Sequence, residues 1–204
     1  MLCVDKSQKH YLFLFHYSSA TRFSYKNPRT RQKTRIGGDM ENLVGLLRIR
    51  VKRGINLVSR DSNTSDPFVV VTMGSQKLKT RGVENSCNPE WDDELTLGIN
   101  DPNQPVILEV FDKDTFTSHD TMGDAEIDIK PFFEAQGTDV QELSDGTEIR
   151  RVKPSGNNCL AEESRIIFSN GKIVQDMILK LRNVESGEVE IQIEWIDVTG
   201  SSDL

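Results

Sequence analysis

Apolar and charged residues alternate one by one over short stretches of this chain, and turn residues separate the stretches. In the first of them, Leu47, Ile49 and Val51 alternate with arginine and lysine until Gly54 interrupts the pattern. An alternation with period two places the apolar side chains on one face of a β-strand, so each stretch predicts a half-buried strand. The predicted strands are Leu46–Val51, Phe68–Met73, Gln76–Thr80, Glu94–Ile99, Val106–Phe111, Asp124–Ile129, Met177–Arg182 and Glu188–Trp195. Eight short strands separated by polar turns predict an all-β fold, an eight-stranded antiparallel β-sandwich.

One segment, about residues 131–172, lacks this alternation. Within it, Pro131–Gln136 predicts a helical turn, and Asn158–Arg165 has helix-compatible spacing with Asn158 as a candidate cap. Loops of this length are uncommon in compact domains unless they have a function. The pattern therefore predicts a small, partly helical insertion in the sandwich, with a functional role.

The first 39 residues differ in charge from the rest of the chain. They hold eight Lys/Arg and two Asp, a net charge of +6, whereas residues 40–204 have a net charge of −13. The basic segment is predicted to be a disordered extension, with Met40 as the usual translation start, and a lipid-binding arm or a targeting peptide is the other interpretation. The domain is assigned to residues 40–198 and a short tail to residues 199–204.

The acidic domain and the scattered cysteines exclude several classes of function. A strongly negative domain repels nucleic acid and anionic lipid unless a cation changes its field, so no nucleic-acid partner is expected. Cys3, Cys87 and Cys159 are odd in number and far apart, which argues against a disulfide framework or a thiolate zinc site and favours a reducing compartment. The sequence contains neither a Gly-rich phosphate loop nor an HExxH motif, and we do not expect an enzyme.

Five aspartates lie in two loops that follow predicted strands. The first loop holds Asp61 and Asp66, and the second holds Asp112, Asp114 and Asp120. Asp112 and Asp114 are two positions apart at a strand end, so their side chains lie on the same side. Carboxylates on adjacent loops repel one another unless a hard cation lies among them, and calcium takes six to eight oxygen ligands. An EF-hand is excluded, because the glycine and the glutamate that its loop requires are absent.

The order of these motifs resembles a C2 domain over about residues 43–197. The motifs are, in order, Ser65-Asp66-Pro67-Phe68-Val69, Gln76-Lys77-Leu78-Lys79-Thr80, Asn88-Pro89-Glu90-Trp91, Asp112-Lys113-Asp114 and Asp120. The resemblance implies that the five aspartate side chains, together with the backbone carbonyls of Arg60 and Lys113, hold about two calcium ions. The strand order resembles the second of the two C2 topologies, in which the last strand, Gly187–Trp195, fills the edge that an earlier strand would otherwise take.

A single C2 domain with this insertion resembles the plant C2-domain abscisic-acid-related (CAR) proteins. The resemblance implies calcium-dependent binding of acidic phospholipids, recruitment of abscisic acid receptors of the pyrabactin-resistance-like type, and stimulation of an Obg-like GTPase or ATPase. The expected locations are the plasma membrane, as a peripheral protein, the cytoplasm and the nucleus. The expected partner-binding residues of the insertion are Asn158, Leu160, Glu162, Glu163 and Arg165. A calcium-independent adaptor or GTPase-activating module is the alternative function.

Four further residues are candidates for lipid contact. Lys77, Lys79 and Arg81 alternate on one predicted strand and so share a face. They resemble the lysine cluster by which some C2 domains bind phosphoinositides, and a solubilising strand face is the alternative interpretation. Phe116 lies near the tip of the second acidic loop, where it either enters the lipid headgroups or caps the core.

Overall fold

Two antiparallel β-sheets pack face to face in the computed structural model, which describes residues 43–59, 65–113 and 120–196. The described elements are β1 (Gly45–Ile55), β2 (Pro67–Met73), β3 (Gln76–Lys79), β4 (Glu90–Ile99), β5 (Val106–Asp112), β6 (Thr121–Ile127), α1 (Lys130–Ala135), β7 (Glu148–Val152), β8 (Ser164–Ser169), β9 (Lys172–Lys180) and β10 (Glu188–Ile196). The larger sheet has the order β4-β1-β10-β9-β8-β7, and the smaller one has the order β3-β2-β5-β6. The predicted all-β sandwich is confirmed.

The core lies between the sheets and follows from the alternation in the sequence. Leu47, Ile49 and Val51 of β1 are fully buried, whereas Arg50 between them is exposed. Each such aliphatic side chain contributes about 1.5–3 kcal/mol by leaving water. Trp91 at the start of β4 is also fully buried, and its indole N–H donates to a backbone carbonyl of β2. Burial of alternate residues in β1 and β5 therefore fixes the register of the two strands that lead into the acidic loops.

The insertion differs from its prediction. The helical turn expected at Pro131–Gln136 is confirmed as α1, but Asn158–Arg165 is not helical. Its first six residues form bends and an isolated bridge between Leu160 and Leu179, and its last two belong to β8. Strands β7 and β8 extend the larger sheet beyond β9, so the prediction of eight strands is wrong and the described residues form ten. A register shift between Glu148 and Arg150 interrupts the alternation of β7, which explains why the sequence pattern missed it.

The insertion is also part of the core rather than an appendage. Phe132 of α1 and Ile166 of β8 are fully buried, and Cys159 is 7% exposed. A buried polar chain links the insertion to β9, since Gln175 donates through its amide Nε2 to Ser164 Oγ at 2.8 Å. The sandwich therefore depends on residues 131–172 for its packing.

Both acidic loops leave from the same end of the sandwich. In the larger sheet, β1 runs antiparallel to β4 and β10, so the end of β1 lies beside the starts of those two strands. In the smaller sheet, β2 runs antiparallel to β3 and β5, so the start of β2 lies beside the ends of those two strands. The connection from β1 to β2 and that from β3 to β4 place all of these strand ends at one end of the sandwich. We call three of the connections at this end, residues 56–66, 80–89 and 113–120, the acidic end. The last strand pairs with the first along its length, but it lies between β1 and β9 and does not fill an edge as expected.

Several predicted features lie outside the described residues. These are the basic segment 1–39, the tail 199–204, and the site residues Arg60, Asp61, Asp114 and Phe116.

Candidate metal centre

Four predicted metal-site residues lie within the described ranges, namely Asp66, Asp112, Lys113 and Asp120. Asp112 is buried, Asp66 is partly buried, and Lys113 and Asp120 are exposed. Within the described ranges, no three acidic, histidine or cysteine side chains come close enough together to hold a metal. The site is therefore judged from the contacts of Asp66 and Asp112, which belong to different loops.

Main-chain hydrogen bonds bring the two acidic loops together. Asp112 ends β5 opposite Pro67, the first residue of β2. The Asp112 N–H donates to the Asp120 carbonyl at 2.8 Å, which joins the two ends of the second loop. The Lys113 N–H donates to the Asp66 carbonyl at 3.2 Å, which joins the second loop to the first. The backbones of all four described site residues are thus connected.

The Asp112 carboxylate has one oxygen that the described residues leave unsatisfied. The residue is 2% exposed, and its Oδ1 accepts the Asp66 N–H at 2.7 Å. Its Oδ2 is buried and has no hydrogen-bond donor in the described part of the chain. A buried anionic oxygen without a partner is strongly destabilising, and a cation in contact with it removes most of that cost. Because the ligand atoms available to a cation here are carboxylate and carbonyl oxygens, the residues present fit calcium.

Asp66 is held by a loop that the sequence prediction did not include. Its Oδ1 accepts the N–H of Asn85, in the β3–β4 connection, at 2.8 Å. Asn85 has a φ of 56°, in the left-handed region that asparagine adopts more readily than most residues. The sequence signal for this loop was the polar run from Glu84 to Asn88 before a proline, which marks a turn but does not say what the turn contacts.

Two of the predicted lipid-binding side chains share an exposed face of the smaller sheet. Lys77 and Lys79 alternate on β3 and are both exposed. The Lys79 ammonium lies 6.0 Å from the centre of the Phe68 ring, and that ring stacks on Phe111 at a centroid distance of 5.7 Å. The face therefore presents basic groups beside an aromatic pair.

Arg81 has a different environment from the two lysines. Its guanidinium donates to the backbone carbonyls of Trp91 at 2.7 Å and Glu90 at 3.2 Å. It also lies 3.4 Å from the Asp93 carboxylate. These contacts connect the end of β3 to the start of β4, so Arg81 supports the frame of the acidic end.

Two of the predicted partner-binding residues organise the insertion. The Asn158 Oδ1 accepts the N–H groups of Ser155 and Leu160, both at 3.2 Å, and its Nδ2 donates to the Lys153 carbonyl at 3.0 Å. Leu160 is partly buried and packs against the core. Both residues shape the loop that precedes β8.

The other three predicted partner-binding residues line a groove on the outer face of the larger sheet. Glu163 pairs with Arg151 at 3.0 Å, and this hydrogen bond holds the pKa of the Glu163 carboxyl below its usual value. Glu162 and Arg165 are exposed, and within the described residues their side chains form no salt bridge. The groove therefore offers one acidic and one basic side chain to a partner, with Ile167 and Ile178 among its apolar lining.

Comparison with protein families and known proteins agrees with the fold. The protein-family model of the C2 domain matches residues 45–144 of this chain. Protein C2-DOMAIN ABA-RELATED 8 of Arabidopsis thaliana is 93% identical over 165 residues, which cover 81% of this chain and 100% of that protein. A protein named GTPase activating protein 1, from Oryza sativa subsp. indica, is 54% identical over 160 residues, covering 78% of this chain and 96% of that protein.

Solved structures show the same architecture. A calcium-bound pair of C2 domains from extended-synaptotagmin 2 matches with a TM-score of 0.53 and 19% identity, over 76% of this chain and 46% of that chain. A single C2 domain of plant extended synaptotagmin 1 matches with a TM-score of 0.51 and 19% identity, over 76% of this chain and 96% of that chain. At this level of identity, the likeness establishes the C2 fold alone.

Proposed function

Because the chain belongs to the C2-domain ABA-related family, we propose that it binds acidic phospholipids in response to calcium and brings abscisic acid receptors to the plasma membrane. The observation that supports the calcium dependence is the buried Asp112 Oδ2, which has no hydrogen-bond donor among the described residues, at the junction of the two acidic loops. The C2 fold is itself consistent with peripheral membrane binding. No helix in the described ranges is long and apolar enough to cross a membrane.

The acidic end works as an electrostatic switch in this proposal. Asp66 and Asp112 provide ligand oxygens from both loops, and the predicted Asp61, Asp114 and Asp120 complete an acidic set that repels anionic lipid. When bound, calcium would supply positive charge and coordination positions for lipid phosphate. Two hydrogen bonds between the loops, from the Lys113 N–H to the Asp66 carbonyl and from the Asp66 N–H to Asp112 Oδ1, hold Asp66 and Asp112 together before binding.

Sedimentation with phosphatidylserine liposomes tests the proposed function. We expect the full chain to pellet with liposomes in calcium and to stay in the supernatant in chelator. Liposomes of phosphatidylcholine alone are the control, because they lack the anionic headgroup. Pelleting that is equal in calcium and chelator would contradict the switch and favour a calcium-independent adaptor.

The basic face of β3 gives a prediction that separates lipid contact from stability. Lys77→Ala and Lys79→Ala are each expected to weaken binding to anionic liposomes by about fivefold, since a basic residue near such a surface contributes about 1 kcal/mol. Arg81→Ala is expected to lower the free energy of unfolding by about 1–2 kcal/mol, because two carbonyls lose a charged donor. Urea unfolding and liposome titration measure the two effects. A lysine variant that loses stability but not lipid affinity would contradict the assignment.

The groove of the insertion is the proposed receptor contact. Glu162→Arg and Arg165→Glu are each expected to weaken receptor binding by about tenfold, because a reversed charge at an interface meets a like charge on the partner. Liposome sedimentation should stay unchanged, since both residues lie outside the acidic end. The double variant Glu162→Arg/Arg165→Glu preserves the net charge, so recovery of binding in it would show that only net charge matters and would contradict the groove as the contact.

A role in GTPase stimulation is the second candidate, supported by the rice relative named GTPase activating protein 1. We propose that an Obg-like GTPase or ATPase is the partner and that this chain itself has no catalytic activity. Binding of that partner in chelator would identify a calcium-independent adaptor. Binding that requires both calcium and liposomes would show that the partner is recruited only by the lipid-bound form of this chain.

A further inference from the structure

The two ends of the first acidic loop are hydrogen-bonded to one connection, residues 83–89 between β3 and β4, which we call the bracing segment. At the end of the loop, the Ser65 carbonyl accepts the N–H of Ser86 at 2.9 Å. At its start, the N–H of Leu57 donates to the Cys87 carbonyl at 2.9 Å. Because Ser86 and Cys87 are adjacent, the bracing segment fixes the distance between the two ends of the loop.

Two further hydrogen bonds extend the contact between the bracing segment and the start of the first acidic loop toward β1. The Asn56 N–H donates to Asn88 Oδ1 at 2.8 Å, and the Gly54 N–H donates to the Pro89 carbonyl at 2.9 Å. Both bonds join the bracing segment to the chain where it enters the first acidic loop. The segment therefore lies between the two legs of that loop and is bonded to each of them.

The bracing segment also contacts a predicted calcium ligand. The Asn85 N–H donates to Asp66 Oδ1 at 2.8 Å, and the Val83 N–H donates to the Pro67 carbonyl at 3.1 Å. Residues 65–67, where the first acidic loop enters β2, thus each accept a hydrogen bond from the bracing segment. The left-handed backbone of Asn85 is part of the turn that presents its N–H to the carboxylate.

We propose that the bracing segment, through Asn85, sets the calcium affinity of the acidic end by orienting Asp66 before an ion binds. Ordering a loop and its side chains costs conformational entropy, and contacts that already exist remove this cost from the binding step. The backbone N–H of Asp66 in turn donates to Asp112 Oδ1 at 2.7 Å, so Asp66 links Asn85 to the Asp112 carboxylate. Asn85 is a positioning residue here, and the inference rests on the proposed calcium function.

The coupling has a reciprocal consequence. If the bracing segment favours calcium binding, calcium must stabilise the bracing segment by the same free energy. The amide hydrogens of Asn85 and Ser86 are therefore expected to exchange more slowly with solvent in calcium than in chelator. Hydrogen exchange followed by NMR measures this without reference to lipid or partner.

Substitution of Asn85 tests the inference. Alanine disfavours the left-handed backbone, so Asn85→Ala is expected to weaken calcium binding by about three- to tenfold in calorimetric titration of the full chain. Glycine adopts that backbone freely, so Asn85→Gly should retain most of the affinity. Asn170→Ala is a matched control, because Asn170 also has a left-handed backbone and donates its N–H to the Asp145 carboxylate, but in the β8–β9 turn.

The outcomes separate this inference from the proposed function. Weaker binding in Asn85→Ala, with near-normal binding in Asn85→Gly and Asn170→Ala, supports the inference. Calcium binding that is equal in wild type and Asn85→Ala, or equally weakened in Asn170→Ala, overturns the inference and leaves the proposed function intact. A wild-type chain that takes up no calcium overturns both.

Discussion

Asp112→Asn is expected to abolish calcium-dependent sedimentation with phosphatidylserine liposomes while leaving the sandwich folded. The amide oxygen of the new side chain can still accept the Asp66 N–H, so the local hydrogen bond survives. The charge is lost, however, and the amide can place a donor where the unsatisfied Oδ2 now lies. We expect calcium affinity to fall by at least about 100-fold, since a ligand charge is replaced by a group with two N–H donors.

The same variant should be more stable than wild type in chelator. Removal of a buried charge, one of whose oxygens has no partner in the described part of the chain, is expected to raise the free energy of unfolding by about 1 kcal/mol or more. Asp145→Asn is the matched control, because Asp145 also accepts a backbone N–H but is exposed. Urea unfolding in chelator and in calcium measures both effects. Retained calcium-dependent binding, or a loss of stability in chelator, would show that Asp112 has a structural role instead.

The sequence was sufficient to predict the sandwich and the strand ends from which its acidic loops leave. Alternation in β1 and β10 determines which residues are buried, and strand ends determine where Asp66 and Asp112 lie. The burial pattern depends on local periodicity, which a single sequence displays. The two acidic loops were expected from the sequence to lie next to each other, but the hydrogen bond from the Asp66 N–H to Asp112 Oδ1 depends on the pairing of β2 with β5, which only the structure shows.

Features that depend on contacts distant in sequence could not be predicted. The Asn85 N–H meets Asp66 across 19 residues, and nothing in a polar turn specifies that partner. Arg81 has the spacing of a lipid-binding side chain on β3, but its guanidinium contacts the backbone carbonyls of β4. Strand β7 was missed because its alternation is interrupted and its side chains are exposed or only partly buried.

Removal of residues 131–172 is expected to unfold the protein rather than to delete a binding surface. The deletion takes away α1, β7 and β8, and with them the fully buried Phe132 and Ile166. It also leaves β9 as an open edge, with the buried Gln175 deprived of its Ser164 partner. We therefore expect the deletion variant to be insoluble or to lack a cooperative urea transition, so that loss of partner binding in it would carry no information about the groove.

A point substitution measures the same dependence in a folded chain. Phe132→Ala should lower the free energy of unfolding by about 3–5 kcal/mol, because it leaves a cavity in the core. Phe133→Ala is the matched control in the same helix, since Phe133 is only partly buried and meets the Trp195 ring edge-on at 5.4 Å. Phe133→Ala is expected to lower the free energy of unfolding by only about 1–2 kcal/mol, because removal of a partly buried ring leaves little or no cavity in the core. Equal costs for the two variants, or a deletion variant that unfolds cooperatively at wild-type urea concentrations, would show that the insertion packs on the sandwich without supporting it.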